Sequence, residues 1–383
     1  MLYAELFVLV GILLAKLLIL SNIENVTFLN VLMEEVFYWP VLLTFTLLPA
    51  NYAVRERIFL AALEIALYFL GEETNLVLLL LILFAADFGP RKTLKVYTVL
   101  LGFFYAVTAV LSALGAIASG SMTVAQTRQT DFAWLSVRHA FGFCHPNAAA
   151  ILLAVWAVMW LILRYGKLKW WDWVLALGVG IVITVVIDSR GALLFYAAFL
   201  VLLVVFKCFP KLLEYKLLHG LAVASPVLCA LLSFGCAILY NPQNLLWNKI
   251  NMLASTRPAL FHQAWENGIV SLGGQTFESL DVPCLDNAYL SVFLLKGVPW
   301  FAVILLIYML LTHRLWKKSA VPELALVLAL FVYFCVESAV LRINDNISLF
   351  LLGSILLLRP VSAQQLFSAA EKKQRTRAVE ENV

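Results

Sequence analysis

Two arginines carry the strongest chemical signal in this chain. Arg190 stands in the stretch DSRG and Arg257 in STRP, each directly after a hydroxyl residue suited to capping a helix, so each is expected in a first helical turn. A helix N-terminus presents unpaired N–H groups and a partial positive charge, which makes it an anion site. A guanidinium added there forks onto two oxygens and so favours phosphate. The stretch RHAFGFCHPN follows the same logic: Pro146 suits a first-turn position, and Arg138, His145 and Asn147 accompany it. Asp286-Asn287 opens a further apolar run. Groups able to take or give a proton stand nearby in the sequence, namely His139, His145, His262, Asp188, Asp281, Asp286 and Asp345.

Other chemistries find no footing. The chain has no H-E-x-x-H, P-loop, G-x-S-x-G or paired DxD-like acids, so nucleotide and metalloprotease chemistry are not expected. Its 6 cysteines include no C-x-x-C, which leaves zinc and iron–sulfur sites unsupported. No metal or other cofactor is expected.

The elements that must position these residues are membrane spans. With 63% hydrophobic residues, 13% charged ones and a mean hydropathy of +0.94, the chain reads as an all-α polytopic membrane protein. Its apolar runs are continuous rather than alternating, so helices are expected and not a barrel. Spans are expected near 2–20, 29–49, 58–70, 74–86, 94–118, 147–163, 172–187, 191–206, 219–239, 287–311, 321–337 and 346–358, about 12 in all. The third and fourth are short for a crossing.

Lys and Arg gather after every even-numbered span, at 50–57, 87–95, 164–171, 207–216, 314–318 and from Arg359 onward. By the positive-inside rule those loops and both termini are cytoplasmic. The net charge of +4 then needs no nucleic acid as partner. The first segment lacks the basic start and small-residue cleavage site of a secretory signal. Residues 1–361 form the membrane domain and 362–383 a polar cytoplasmic tail.

Two outer segments remain, 119–146 and the large loop 240–286. In the latter, STRPALFHQAWENG reads as a helix capped by Ser255 or Thr256, with Pro258 in its first turn and Asn267-Gly268 closing it. Leu260, Phe261 and Trp265 share a face that meets the membrane or the bundle, and Gly273-Gly274 marks a turn. Cys144 and Cys284 both fall on this outer side, where a disulfide is chemically permitted and two free thiols are the alternative. Arg128, Arg342, Lys249 and Lys296 also fall outside.

Four stretches in order, RHAFGFCHPN, DSRGALL, STRPALFHQAWENGIVSLGG and DNAYLSVFLLKG, resemble the O-antigen ligase and Wzy-type polysaccharide polymerase superfamily, in particular the Gram-positive capsule and exopolysaccharide polymerases. Arg257 and Gly273 are separated by 15 residues, as in the arginine loop of these polymerases, and Asp286-Asn287 is followed by 9 residues and Gly297, similar to the ligases' His-Asn-x9-Gly with Asp for His. The likeness covers roughly residues 138–311. It implies a GT-C-like fold in the cytoplasmic membrane and metal-independent glycosyl transfer at its outer face, from a polyprenyl-diphosphate-linked oligosaccharide. Arg190 and Arg257 would hold the diphosphate leaving group. Asp286 takes the place of the base, with His145 and His262 as alternatives, and Arg138, Asn147 and Asn287 would help bind substrate.

The resemblance implies a polymerase of lipid-linked repeat units, partnered in its pathway by a flippase and a chain-length regulator. A ligase that passes a finished glycan to an acceptor is the alternative within the superfamily. A 12-span transporter is the alternative outside it. Glu34, Glu35 and Glu64 would be its intramembrane acids, but no internal repeat accompanies them.

Overall fold

The computed structural model describes residues 89–123, 137–342 and 344–356, with isolated positions between 10 and 25 and at 82 and 85. The expected spans at 29–49, 58–70 and most of 74–86 lie outside the described residues. So do Glu34, Glu35, Glu64, Arg128 and the tail at 362–383.

Within the described residues the chain is a helical bundle, and its helices are α1 Pro90–Ala113, α2 Pro146–Arg164, α3 Trp170–Ile181, α4 Arg190–Cys208, α5 Lys216–Leu239, α6 Leu245–Leu253, α7 Arg257–Asn267, α8 Ala288–Ser291, α9 Val298–Lys317, α10 Val321–Phe334 and α11 Leu349–Leu356. The only strands among these residues are β1 Met122–Thr123 and β2 Val137–Arg138, antiparallel with Met122 opposite Arg138. Among the described residues, six helical stretches are long and apolar enough to cross a membrane: Pro90–Ala113, Pro146–Lys167, Trp170–Ile187, Arg190–Cys208, Lys216–Leu239 and Val298–Lys317. The protein is therefore an all-α polytopic chain suited to a lipid bilayer.

Helices α2 and α10 form the centre. In α10 nearly every side chain from Val321 to Phe334 is buried, as expected for a helix apolar all round. In α2 the small residues Ala149, Ala150, Ala154 and Ala157 are buried, which lets neighbouring backbones come close. Helix α4 packs along α10 and α2. Helices α5, α9 and α1 lie outside this centre and expose Leu231, Leu232, Leu306 and Phe103.

The helix ends gather at two levels. At one, which we call the basic end, stand Arg91, Lys92, Lys95, Arg164, Lys167, Lys207, Lys211, Lys216, Arg314 and Lys317. Arg164 forks onto Asp172 at 2.7 Å, and Arg91 reaches the buried Glu323 at 3.4 Å. At the other, the loop end, lie residues 137–146, 240–287, 335–342 and 344–346.

Several expected spans differ in detail: the run at 94–118 is helical from Pro90 to Ala113, and the run at 172–187 passes into a π-type segment over Val182–Ile187. The run expected at 287–311 is broken. Helix α8 passes into a wider π-type segment, Val292–Lys296, and stops at Gly297 before α9 begins. The run at 321–337 ends at Phe334, so Glu337 belongs to the following turn and not to the helix. The run at 346–358 is helical over Leu349–Leu356 among the described residues.

Gly297 explains the break. Its φ of 87° and ψ of 170° fall where only glycine is at ease, and an added Cβ would sit 2.5 Å from the Leu272 carbonyl oxygen. The tip of the large loop is thus stitched to the base of α9, with the Val298 N–H donating to the Ser271 carbonyl at 3.1 Å. Gly297→Ala is expected to cost on the order of 1–3 kcal/mol from backbone strain alone. Gly220→Ala, in an open position of α5, is expected to cost nothing. Thermal unfolding of both variants in detergent tests this; equal midpoints for the two would refute the stitch.

Candidate functional site

Helix starts, turns and two arginine-bearing segments converge at the loop end. Arg257 is the first residue of α7, and its Nη2 donates to two carboxylates at once, Asp286 Oδ2 at 3.2 Å and Glu337 Oε1 at 3.0 Å. Arg342 approaches the other oxygen of Glu337 at 3.4 Å and pairs with Asp345 at 3.0 Å. Acid and base thus alternate in one chain of contacts: Asp286, Arg257, Glu337, Arg342, Asp345. Beside it opens a cavity of about 550 Å³, whose lining includes His145, Asn147, Asp286, Glu337, Arg342 and Asp345.

How Arg257 is placed departs from the sequence reading. Neither Ser255 nor Thr256 caps α7: both sit in the left-handed region, at φ 56° and 64°, and the Thr256 hydroxyl donates to the Ser255 carbonyl. The cap comes from α6, where Asn251 Oδ1 accepts the Ala259 N–H at 3.1 Å and the Asn251 carbonyl accepts the Thr256 N–H at 2.8 Å. A turn with two adjacent left-handed residues closes the α6–α7 corner, and the asparagine stabilises what that turn strains. The expected helix end holds, with α7 closing at Gly268. Phe261 is buried, and Trp265 stacks on Phe293 and meets Phe234, so this face meets the bundle.

Arg190 also opens its helix, but Ser189 does not cap it. The Ser189 hydroxyl donates to Asn147 Oδ1 at 3.1 Å. Arg190 Nη1 donates to the carbonyl of Leu253, the last residue of α6, at 2.8 Å. The two arginines are therefore joined through the short corner 254–256. The next residue of α4, Gly191, lies against Glu337, where a Cβ would stand 3.3 Å from Oε1. Glu337 thus sits where the arginine-bearing starts of α4 and α7 meet.

The other expected residues separate into lining and framework. His145 is the N-cap of α2: its Nδ1 accepts the Asn147 N–H at 3.0 Å, so the neutral ring carries its proton on Nε2. Burial, then Arg138, pushes its pKa down against a smaller upward pull from Asp286. The ring is thus a hydrogen-bond donor at the cavity wall and poorly placed as a base. Arg138 is buried, with Nη2 on Asn147 Oδ1 at 2.7 Å and Nε near the Ile187 carbonyl at 3.4 Å, so it braces the wall.

Asn287 caps α8 through Oδ1, while Nδ2 donates to Ser233 Oγ and the Cys335 carbonyl, both at 2.9 Å. It ties α5, α8 and α10 together and is not a cavity residue. His262 is not one either: its Nδ1 contacts the Ala237 carbonyl at 2.8 Å, pinning α7 to the end of α5. Cys144 and Cys284 both line the cavity and no disulfide joins them.

The sequence reading passed over Glu337 because the apolar run of α10 extends to it. The visible clue was the polar density of VESAVLRINDN after that run. Burial raises the Glu337 pKa to about 7, helped by Asp286 and Asp345 and opposed by Arg257 and Arg342. Burial likewise raises that of Asp345, against Arg342.

Compared with protein-family models, with curated proteins and with solved structures, the chain matches none. Chemically, the site pairs guanidinium N–H groups with carboxylates around a cavity at the mouth of the bundle. Among the described residues, no group of three or more His, Cys, Asp or Glu is disposed to hold a metal ion.

Two outcomes follow. Asn251→Ala is expected to cost about 0.5–2 kcal/mol as a lost cap, and Thr256→Ala less, in detergent unfolding; the opposite order would restore Thr256 as the cap. For Glu337, the folded protein holds the proton more tightly than the unfolded chain. Its stabilising contribution is thus full below about pH 4.5 and is lost as pH rises through about 7. The difference in stability between wild type and Glu337→Gln should therefore shift against wild type by on the order of 3 kcal/mol between pH 4.5 and 8.5. A difference that stays flat across that range would contradict it.

Proposed function

We propose that the protein is a glycosyltransferase that joins polyprenyl-diphosphate-linked oligosaccharide units into a polysaccharide, at the outer face of the cytoplasmic membrane. The observation that carries this reading is the convergence of Arg257, Asp286 and Glu337 beside a cavity at the loop end, with Arg190 held to the same corner. The concentration of Lys and Arg at the opposite end supports placing the loop end outside.

In this reading Arg257 and Arg190 hold the diphosphate and neutralise the charge that develops as it leaves. Arg257 uses Nη2 for the two carboxylates, and among the described residues its Nε–H makes no hydrogen bond. His145, with its proton on Nε2, adds a neutral donor. The acceptor sugar hydroxyl must lose a proton, and the carboxylates facing the cavity are the groups suited to take it. A bound substrate would meet these residues at the helix ends. A transporter's site would instead lie near the middle of the spans, and the cavity's charged lining stands before α2 and α8 and after α10.

The test is a reconstituted assay with purified protein and a polyprenyl-diphosphate-linked oligosaccharide in liposomes. The wild type is expected to build a ladder of longer lipid-linked products. Arg257→Lys, which loses the forked geometry, is expected to slow it by roughly 100- to 1000-fold. A full ladder from both Arg257→Lys and Arg190→Lys would remove the diphosphate role. A single transfer onto a different lipid would mark a ligase.

A further inference from the structure

We infer that Glu337, and not Asp286, is the group that takes the proton from the acceptor hydroxyl; this rests on the glycosyl-transfer reading. Both carboxylates face the cavity and both contact the same guanidinium nitrogen, so they compete for one counter-charge. Their settings differ. Asp286 has a side chain 32% exposed and, among the described residues, one ion pair, with Arg257. Glu337 has a side chain 10% exposed and lies between two guanidiniums, one on each oxygen. It also lies against Gly191, directly beside Arg190. The carboxylate at the junction of both arginine-bearing helix starts is the one closest to where the diphosphate would be held.

Among the described residues, the titratable and charged groups facing Glu337 are Arg257 from α7, Cys284 and Asp286 from the segment before α8, Tyr333 from α10, and Arg342 and Asp345 from the turn after it, with the start of α4 against it. Two cations keep it ionisable, while burial and two anions keep it basic. A base with a pKa near the working pH is the effective compromise between being deprotonated and holding the proton strongly. Glu337, raised to about 7, meets that condition.

The step balances without any further reagent. The acceptor oxygen bonds to the anomeric carbon, and its proton passes to a Glu337 carboxylate oxygen. The bond from the anomeric carbon to the phosphate oxygen breaks, and its electron pair departs with the polyprenyl diphosphate. Asp286 holds Arg257 in place and is a positioning residue.

The experiment is a pH–rate profile of the liposome elongation assay for wild type, Glu337→Gln, Glu337→Asp and Asp286→Asn, with binding of the labelled lipid-diphosphate donor measured beside it. Expected are an acidic limb in the wild type, a 100- to 10,000-fold loss in Glu337→Gln with donor binding retained, and a displaced limb in Glu337→Asp. Asp286→Asn should keep the limb and lose less activity. Glu337→Gln with activity within about tenfold of wild type and the same limb would overturn the inference and leave the glycosyl-transfer reading standing. An unmoved limb in Glu337→Asp overturns it too, and that variant decides the matter if Glu337→Gln fails to bind donor. A wild type that forms no glycosidic bond removes both.

Discussion

A guanidinium shared by two carboxylates in a partly enclosed site sets the terms for the whole loop end. Arg257 is only 15% exposed in its side chain, and Glu337 is buried. Removing charges from water is costly, and a lone charge left in such a place costs several kcal/mol. The arrangement is stable only if α7, the turn after α10 and the segment before α8 arrive together. Arg257 comes from α7, Asp286 from the segment before α8, and Glu337 with Arg342 from the turn after α10. Withdrawing α7 would take the guanidinium from Asp286 and leave Glu337 with Arg342 alone.

The rest of the loop end ensures that arrival. Asn287 holds the start of α8 to α5 and to the turn after α10, which fixes Asp286 next to it. Asn346 donates to the Tyr308 hydroxyl and the Val340 carbonyl, at 2.7 and 2.6 Å, and so holds the loop that carries Arg342 and Asp345. Asn147 accepts from Arg138 and Ser189 and binds the start of α2 to that of α4. Three asparagines thus serve as knots between helix ends. Their amides supply both donors and acceptors without adding charge to a region already dense in it.

What the sequence disclosed follows from which signals are local. Among the described residues, the approximate span positions, the Pro146 start of α2, the Gly268 end of α7 and the inward face of Phe261 and Trp265 were legible, because composition and helical spacing decide them. The caps were misread because Ser189 and Thr256 occupy the right positions but their hydroxyls bond elsewhere, and the true cap of α7 arrives from Asn251 on another helix. The break at Gly297 was passed over because the flanking composition is strongly apolar, although Lys296, Gly297 and Pro299 mark it in the sequence. Glu337 was hidden in a similar way: an acid at the end of an apolar stretch resembles a span boundary, and its partners Arg257 and Arg342 are 80 and 5 residues away. Arg190 and Arg257 were singled out for their helix starts. Their joining through the Leu253 carbonyl is tertiary and left no mark on spacing.

The presence of acids at a site proposed for a diphosphate follows from the same electrostatics. Without partners, Arg257 and Arg342 would carry unpaired positive charge in surroundings that screen it poorly. Asp286, Glu337 and Asp345 remove that cost. On the proposed reading, an entering diphosphate would meet guanidiniums already held in place and would have to compete with carboxylates for them. That competition lowers affinity, but it also favours groups that present two or more anionic oxygens at fork spacing over a single carboxylate or a neutral sugar. It further allows a carboxylate freed from Arg257 to become more basic as the phosphate takes its place, since a lost cation and a gained anion both favour the proton. On the proposed reading, binding the donor would strengthen the base that the transfer requires.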